Sequence, residues 1–447
     1  MRCLFYGFCV LSLTVIASNT TPASQNKQLK PNIILFFSDD QGTLDLNCYG
    51  SKDLHTPHLD KLAERGVRFT RFYVAAPVCS PSRAALLTGR YTYRCGVSGN
   101  VSSRPGGAGL PLEEVTIAEM LKQAGYATGL IGKWHLGTAK HSDPLAQGFD
   151  TFFGHKAGCI DNYSHFFYWS GPPYHDLWRD RKEIDEDGEY FTNMVVRESR
   201  NFIDKHKDEP FFLYVPFNIP HYPLQAPKQF RDRYKNLKEP RRAYAAMISV
   251  LDDAVGRILA KVQEHNLSEN TIVIFLSDHG HSTEERCNFG GGNAGPYRGA
   301  KFSLLEGGLR VPCIMSWPGH LPKGQSRNQP CISIDIYPTI AELCRVNLPK
   351  RKIDGNSLVP VLQNSKAKAP HDVLHWQLGK SWAVRKGDWK LIVNGRDTSA
   401  NNKQLPSPFL VDLSQDPGES RNLAKTNAAM VEDLTALHQA WAKQWKK

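Results

Sequence analysis

The 447-residue chain has no CxxC pair, no dense Lys/Arg tract, no internal repeat and no extended low-complexity stretch. The first two absences exclude the usual zinc modules and the basic segments that grip nucleic acid. The third excludes solenoids and propellers, and the fourth a wholly disordered chain. Nor does any segment beyond the N-terminus hold the run of about 20 apolar residues that a spanning helix needs. Neither a nucleic-acid partner nor a membrane partner is therefore expected.

What is present is the composition of a folded protein, 41% hydrophobic and 22% charged. A chain of this length suits one large domain with a smaller one beside it. The formal net charge of +11 favours polyanionic partners, sulfated glycans among them. Arg2, an apolar run over residues 4–16 and Val15-Ile16-Ala17 together read as an export signal. Residues 1–17 are expected to be removed and 18–30 to form a polar linker, and the mature protein to be exported to a periplasm, a lysosome or the exterior. Eight of the ten cysteines then remain, and export permits disulfides whose pairing the sequence does not specify.

Near-continuous apolar runs recur at residues 33–37, 127–131, 211–215 and 271–276. Such runs suit strands buried on both faces of a parallel sheet. Helical patterns lie at 56–65, 116–124 and 243–264, giving the strand–helix alternation of an α/β domain over residues 31–345. From residue 346 short alternating segments take over. Residues 382–385 and 389–393 flank a turn-like Lys386-Gly387-Asp388, which predicts a hairpin. A last helix from about Asn427 places Met430, Leu434, Leu437 and Trp441 on one side. Residues 346–447 are thus expected to form a C-terminal subdomain, a small antiparallel sheet with a terminal helix.

In open α/β sheets, ligands bind beyond the carboxyl ends of the strands. Each apolar run here leads into chemically capable residues: Ser38-Asp39-Asp40-Gln41-Gly42, Gly132-Lys133-Trp134-His135, Asn218-Ile219-Pro220-His221 and Ser277-Asp278-His279-Gly280. Any one of these is ordinary turn chemistry. Four at one sheet edge are not. Carboxylates about 4 Å apart repel by roughly 4 kcal/mol at an effective dielectric near 20, so Asp39, Asp40 and Asp278 call for a cation. Oxygen donors favour Ca²⁺ or Mg²⁺, although His279 is an unusual calcium ligand. Lys133, His135, His221 and Lys301 suit a tetrahedral oxyanion on that metal. The residues alone lead to a metal-assisted hydrolase of anionic esters, with sulfate and phosphate both open.

The segment Cys79-Ser80-Pro81-Ser82-Arg83, continued by Ala84-Ala85-Leu86-Leu87-Thr88-Gly89-Arg90, chooses between them. It resembles the signature of the sulfatase family, in which Cys-x-Pro-x-Arg is read by a formylglycine-generating enzyme before folding and the Cys becomes formylglycine. Pro31-Asn32-Ile33, Gly148-Phe149-Asp150 and Glu306-Gly307-Gly308-Leu309-Arg310-Val311-Pro312 also look like this family, closest to its arylsulfatase A and N-acetylgalactosamine-6-sulfatase branch.

The resemblance implies an alkaline-phosphatase-like fold, with a large, mostly parallel sheet between helices and a smaller C-terminal subdomain. It also implies calcium held by Asp39, Asp40, Asp278 and His279 together with the modified Cys79. Arg83 would orient the formylglycine hydrate, and Lys133 and Lys301 would neutralise the sulfate oxygens. His221 would protonate the leaving alcohol, and His135 would take the proton whose loss expels sulfate. His155 and His165 are candidates for substrate contact, and the aromatic run 163–169 for stacking on sugar rings or for core. The implied substrate is a sulfated saccharide or aryl sulfate. The alternatives are a phosphonate or phosphate ester, or a non-catalytic role in binding sulfated glycans.

Overall fold

The four apolar runs are neighbours in space. A computed structural model describes Met1, residues 3–8 and residues 30–445; Arg2 and residues 9–17 of the expected export signal, and 18–29 of the expected linker, lie outside them. Strands Thr271–Ser277, Asn32–Ser38, Phe211–Pro216 and Ala127–Lys133 lie side by side in that order, all parallel. Every residue of Asn32–Ser38 is buried because both faces of the sheet are covered. Ile33, Leu35 and Phe37 join a core with helix Cys79–Thr88, while Ile34 and Phe36 join another with helices Phe191–His206 and Arg241–Glu264. Each such fully buried side chain contributes about 1.5–3 kcal/mol. That double burial is why the runs read as continuous rather than alternating.

The predicted helices are present as Pro57–Glu64, Ile117–Gln123 and Arg241–Glu264. The second opens on a capping box, in which the Thr116 hydroxyl accepts from the Glu119 N–H and the Glu119 carboxylate accepts from the Thr116 N–H. Among the described residues no helix is long and apolar enough to cross a membrane.

Among the described residues the sheet reaches beyond the four strands, to eleven in all. Thr151–His155 extends the parallel set; on the other side Arg310–Ser316 runs antiparallel to it, and Val67–Tyr73, antiparallel to Arg310–Ser316, returns to the direction of the set. The register of those last two shifts between Val311 and Cys313. Pro312 sits at that shift, and with no N–H it cannot donate to the ladder.

The expected hairpin is the middle of a four-stranded antiparallel sheet, Val373–Leu378, Ser381–Lys386, Trp389–Val393 and Phe409–Asp412. Helix Ala428–Ala442 covers it, with Leu434 packed among Val384, Leu391 and Leu410. Trp441 meets Tyr91 edge-on with ring centres 5.1 Å apart, so the terminal helix also closes onto the main core. Cys48, Cys79, Cys95, Cys159, Cys287, Cys313, Cys331 and Cys344 are all free thiols.

Candidate active site

Parallel pairing in register brings the polar strand ends to one edge. Ser38 is level with Ser277, Phe37 with Pro216, and Leu130 with Tyr214. Asp39-Asp40, Lys133 to His135, His221 and Asp278-His279 therefore emerge together.

Cys79 arrives from below on helix Cys79–Thr88, whose ten residues are all buried. Pro81 lies in its first turn, where a missing N–H costs nothing. The N–H groups of that first turn are capped, Ser80 donating to Asn100 Oδ1 at 3.1 Å and Ser82 to the Val78 carbonyl at 3.2 Å, so the helix contributes the positive end of its dipole to the site. The trailing part of the signature has another task. Thr88 donates its hydroxyl to the Ala84 carbonyl at 2.7 Å, and Gly89 ends the helix at φ +66°, with room for no larger side chain because a Cβ there would lie 2.7 Å from that of Tyr337. Arg90 then pairs with Glu114 at 3.1 Å. Thr-Gly-Arg is the exit of a buried helix.

Asp39, Asp40, Cys79 and His279 each present a ligand atom within 4.8 Å of the others, and all four are buried. Cys79 Sγ lies 3.3 Å from His279 Nε2 and 3.8 Å from Asp39 Oδ1. His279 turns Nδ1 to the Gly280 carbonyl at 2.9 Å, leaving Nε2 to face the cluster, 3.3 Å from Asp40 Oδ1 and 3.5 Å from Asp278 Oδ1. Asp40 takes φ +64°, a conformation costly without a side-chain reason. It is held there by its N–H donating to Asp278 Oδ1 at 3.1 Å and by Tyr244 donating to its carbonyl at 3.2 Å.

Three buried cations surround this group. Arg83 Nη2 donates to Asp278 Oδ2 at 3.0 Å and lies 3.4 Å from Asp39 Oδ1. Lys133 Nζ is 2.6 Å from Asp39 Oδ2, and Lys301 Nζ is 3.1 Å from Asp40 Oδ2 and 3.3 Å from Glu284. Burial pushes the carboxyl groups up, but Lys133, His221 and Arg83 outweigh it at Asp39 and hold that group well below the usual range. Asp40 goes the other way, to about 6, because burial and the charges of Asp39 and Asp278 exceed the help from Lys301 and His279. Burial also raises the Cys79 thiol, with Lys133 and Lys301 opposing.

Two more imidazoles complete the set. His221 turns Nδ1 to the Tyr222 carbonyl at 2.7 Å and places Nε2 3.8 Å from Asp40 Oδ2. His135, at φ +52°, lies against Gly158, where any Cβ would come within 2.7 Å of its Nε2. Burial, together with Lys301 at His221 and with Lys133 and Arg83 at His135, holds both rings well below the ordinary histidine pKa and so neutral at pH 7.

Cys79, His135, His221 and Lys301 all line one cavity of about 240 Å³. Its outer wall carries Arg104, Phe167 and Trp169, the last stacked on Tyr222 with ring centres 5.3 Å apart. The aromatic run thus divides: Phe167 and Trp169 face the cavity, while Tyr163 packs on Tyr190. His155 and His165 do not line it. His155 packs edge-on against Phe191, and His165 lies beside His175. Sequence reasoning missed Glu284, Gly158 and Asp45. Asp45 accepts from the Gly42 N–H at 3.1 Å, Tyr244 at 2.8 Å and Arg241 at 2.6 Å, and so braces the loop carrying Asp40. The Gly42 to Asp45 spacing was its only local signal.

A carboxylate, imidazole and cysteine cluster at parallel strand ends, ringed by buried cations and open to a cavity, defines a hydrolase of anionic esters. The particular chemistry follows from likeness to known proteins. Residues 31–346 match the family model described as Sulfatase, and residues 299–446 one described as N-sulphoglucosamine sulphohydrolase, C-terminal. Arylsulfatase A of Homo sapiens is 36% identical over 452 residues, covering 92% of this chain and 86% of that one. N-acetylgalactosamine-6-sulfatase of Rattus norvegicus is 34% identical over 430 residues, covering 87% and 80%. A solved structure described as "Crystal structure of Ps i-CgsB in complex with k-i-k-neocarrahexaose" superposes with a TM-score of 0.83 at 32% identity, covering 92% of each chain. The chain belongs to the sulfatase family, and its reaction is the hydrolysis of a sulfuric ester.

Proposed function

We propose that this protein releases sulfate from a sulfated saccharide or an aryl sulfate, with Cys79 converted to formylglycine and calcium held by Asp39, Asp40, Asp278, His279 and the converted residue. The observation that carries this reading is the setting of Cys79. Its sulfur touches a metal-type cluster, yet burial raises its pKa. A thiolate nucleophile needs the opposite, an environment that lowers the pKa. The position suits a residue that acts in another chemical form.

The residues present fit the metal. Asp40 Oδ1 is buried without a hydrogen-bond partner, and its carboxyl group is crowded by two others. Oxygen donors predominate, as a hard cation requires. When in place, the aldehyde hydrate supplies a hydroxyl nucleophile, and calcium lowers the pKa of that hydroxyl and polarises the ester.

The protein's own groups do the rest. Lys133 and Lys301 bind the sulfate oxygens, and Arg83 orients residue 79 from the far side. His221 donates from Nδ1 to Tyr222, which leaves Nε2 as the nitrogen that takes up a proton when the ring is protonated and passes it to the leaving oxygen. Bound sulfate offsets the lysine charges that depress His221 and so favours its protonation. His135, neutral in the free protein, accepts the proton released as sulfate departs. Trp169, packed between Tyr222 and Arg286, gives the cavity an aromatic wall whose edge a sugar ring can rest against, and Arg104 favours a saccharide bearing further negative charge.

Cys79, Pro81 and Arg83 are all buried, which supports their recognition by a formylglycine-generating enzyme before folding. Export, and a division into a catalytic unit of residues 31–345 and a C-terminal subdomain of 346–447, belong to the same reading. Cys79→Ala is expected to abolish sulfate release while leaving the melting temperature unchanged. Retained turnover in that variant, or equal or faster turnover of an aryl phosphate by the native protein, would overturn the proposal.

A further inference from the structure

Outside the active site, three side chains converge in a way the sulfatase reaction does not use. His165 precedes the short strand Phe166–Phe167, and His175 ends its antiparallel partner Tyr174–His175. Asp187 comes from the loop before helix Phe191–His206. His165 Nδ1 lies 3.4 Å from Asp187 Oδ1, and His175 Nε2 lies 3.5 Å from the same oxygen. All three atoms fall within 4.8 Å of one another.

The outer nitrogens fix which lone pairs face inward. His165 Nε2 is 3.1 Å from the Glu189 carbonyl, which can only accept, so this nitrogen carries the hydrogen. His175 Nδ1 is 3.1 Å from the Glu183 carboxylate and is likewise the donor. The two remaining nitrogens, His165 Nδ1 and His175 Nε2, are buried and have no hydrogen-bond partner. Each imidazole thus offers a lone pair inward while a carbonyl or carboxylate orients it from behind, the usual support of a metal-bound histidine.

We propose that His165, His175 and Asp187 form a second metal site, selective for Zn²⁺ or a similar first-row ion and distinct from the calcium cluster. Tetrahedral zinc with bonds of about 2.0–2.1 Å sets neighbouring ligand atoms about 3.3–3.4 Å apart. The two edges meeting at Asp187 are 3.4 and 3.5 Å, close to that length already. Two imidazoles with one carboxylate suit zinc and disfavour calcium. Asp187 is half exposed, which leaves a path for the ion and a fourth position for water. A contrasting triad, Asp204, Glu264 and His265, carries no such proposal, because Lys261 already lies 3.1 Å from Asp204 and 2.8 Å from Glu264 and balances their charge.

The site would tie together the chain between residues 165 and 187. That segment supplies Phe167 and Trp169 to the cavity wall, so the zinc acts as a staple behind the substrate pocket.

The test is a calorimetric titration of Zn²⁺ into the metal-stripped full-length protein with calcium held in excess. One zinc per chain is expected, and Co²⁺ in its place should give the visible absorption of a tetrahedral site. Binding should be lost in His175→Ala and Asp187→Asn, two positions nearer the surface than His165, whose folding is checked by circular dichroism. Glu183→Gln should weaken zinc about 10-fold or more. No stoichiometric binding, or undiminished binding in both ligand variants, overturns the proposal. Neither outcome bears on Cys79 or calcium.

Discussion

Two buried charge clusters in this protein have similar compositions and opposite designs. At the strand ends, Asp39, Asp40 and Asp278 stand against Arg83, Lys133 and Lys301, and the group borders a cavity. Where the C-terminal sheet meets the main one, Lys390 lies 2.9 Å from both Glu306 and Glu419, and Tyr73 donates to Glu306 at 2.6 Å. The second cluster turns its charges on one another. Glu306 is held to about 2, since Lys390, Arg385 and Arg310 outweigh its burial. Each cluster holds one carboxyl group low and raises another, Asp40 to about 6 in the first and Glu419 to about 7 in the second, but only in the first do several donor atoms converge on one point. A buried ion network built for stability satisfies its own charges; one built for binding keeps some of them for a ligand.

The comparison breaks most visibly if the two lysine types prove interchangeable. Lys301→Ala, in the calcium-loaded protein, should lower kcat by about 10²–10³ with little change in melting temperature. Lys390→Met should do the reverse, costing about 3–5 kcal/mol in chemical denaturation while turnover per folded molecule holds. An inactive but stable Lys390→Met protein would mean that the joint serves catalysis.

A smaller effect sharpens the second cluster. Burial and the nearby Glu306 charge raise Glu419 from 4.5 to about 7, against the pull of Lys390. Between those values the folded protein binds a proton that the unfolded chain has released, so stability falls as pH rises from about 4.5 to about 7. Glu419→Gln should flatten that slope in urea titrations. Loss of stability below pH 4.5, where Glu306 protonates on unfolding before it does in the fold, should persist. An unchanged slope between those pH values would place the proton elsewhere. Smallest of all, Gly158→Ala presses on His135 and should reduce kcat by less than the roughly 10²-fold of a 1 Å misplacement, leaving stability and KM nearly unchanged.

These clusters were not equally legible. The strand-end residues follow directly on apolar runs, so local sequence marks both the strand and the site. Parallel pairing then leaves them one place to meet. The joint cluster draws Tyr73, Glu306, Lys390 and Glu419 from four separate segments, and nothing local links them. The mixed edge of the sheet was hidden for a related reason. Val67–Tyr73 keeps neither a continuous apolar run nor a clean alternation, with half-buried Arg68, Thr70 and Arg71 set among buried side chains, and Pro312 interrupts the register of its partner. The Cys79 signature was legible as a motif, but its division into a reactive start and a structural exit needed the helix.

The central claim is that residue 79 acts as an aldehyde beside calcium. Its most direct test is the mass of the proteolytic peptide carrying residue 79, taken from preparations of graded sulfatase activity. The fraction converted from thiol to formylglycine should rise in proportion to specific activity, and calcium removal should silence the converted protein without changing that mass. Full activity in a preparation whose Cys79 peptide carries only the unmodified thiol would contradict the account.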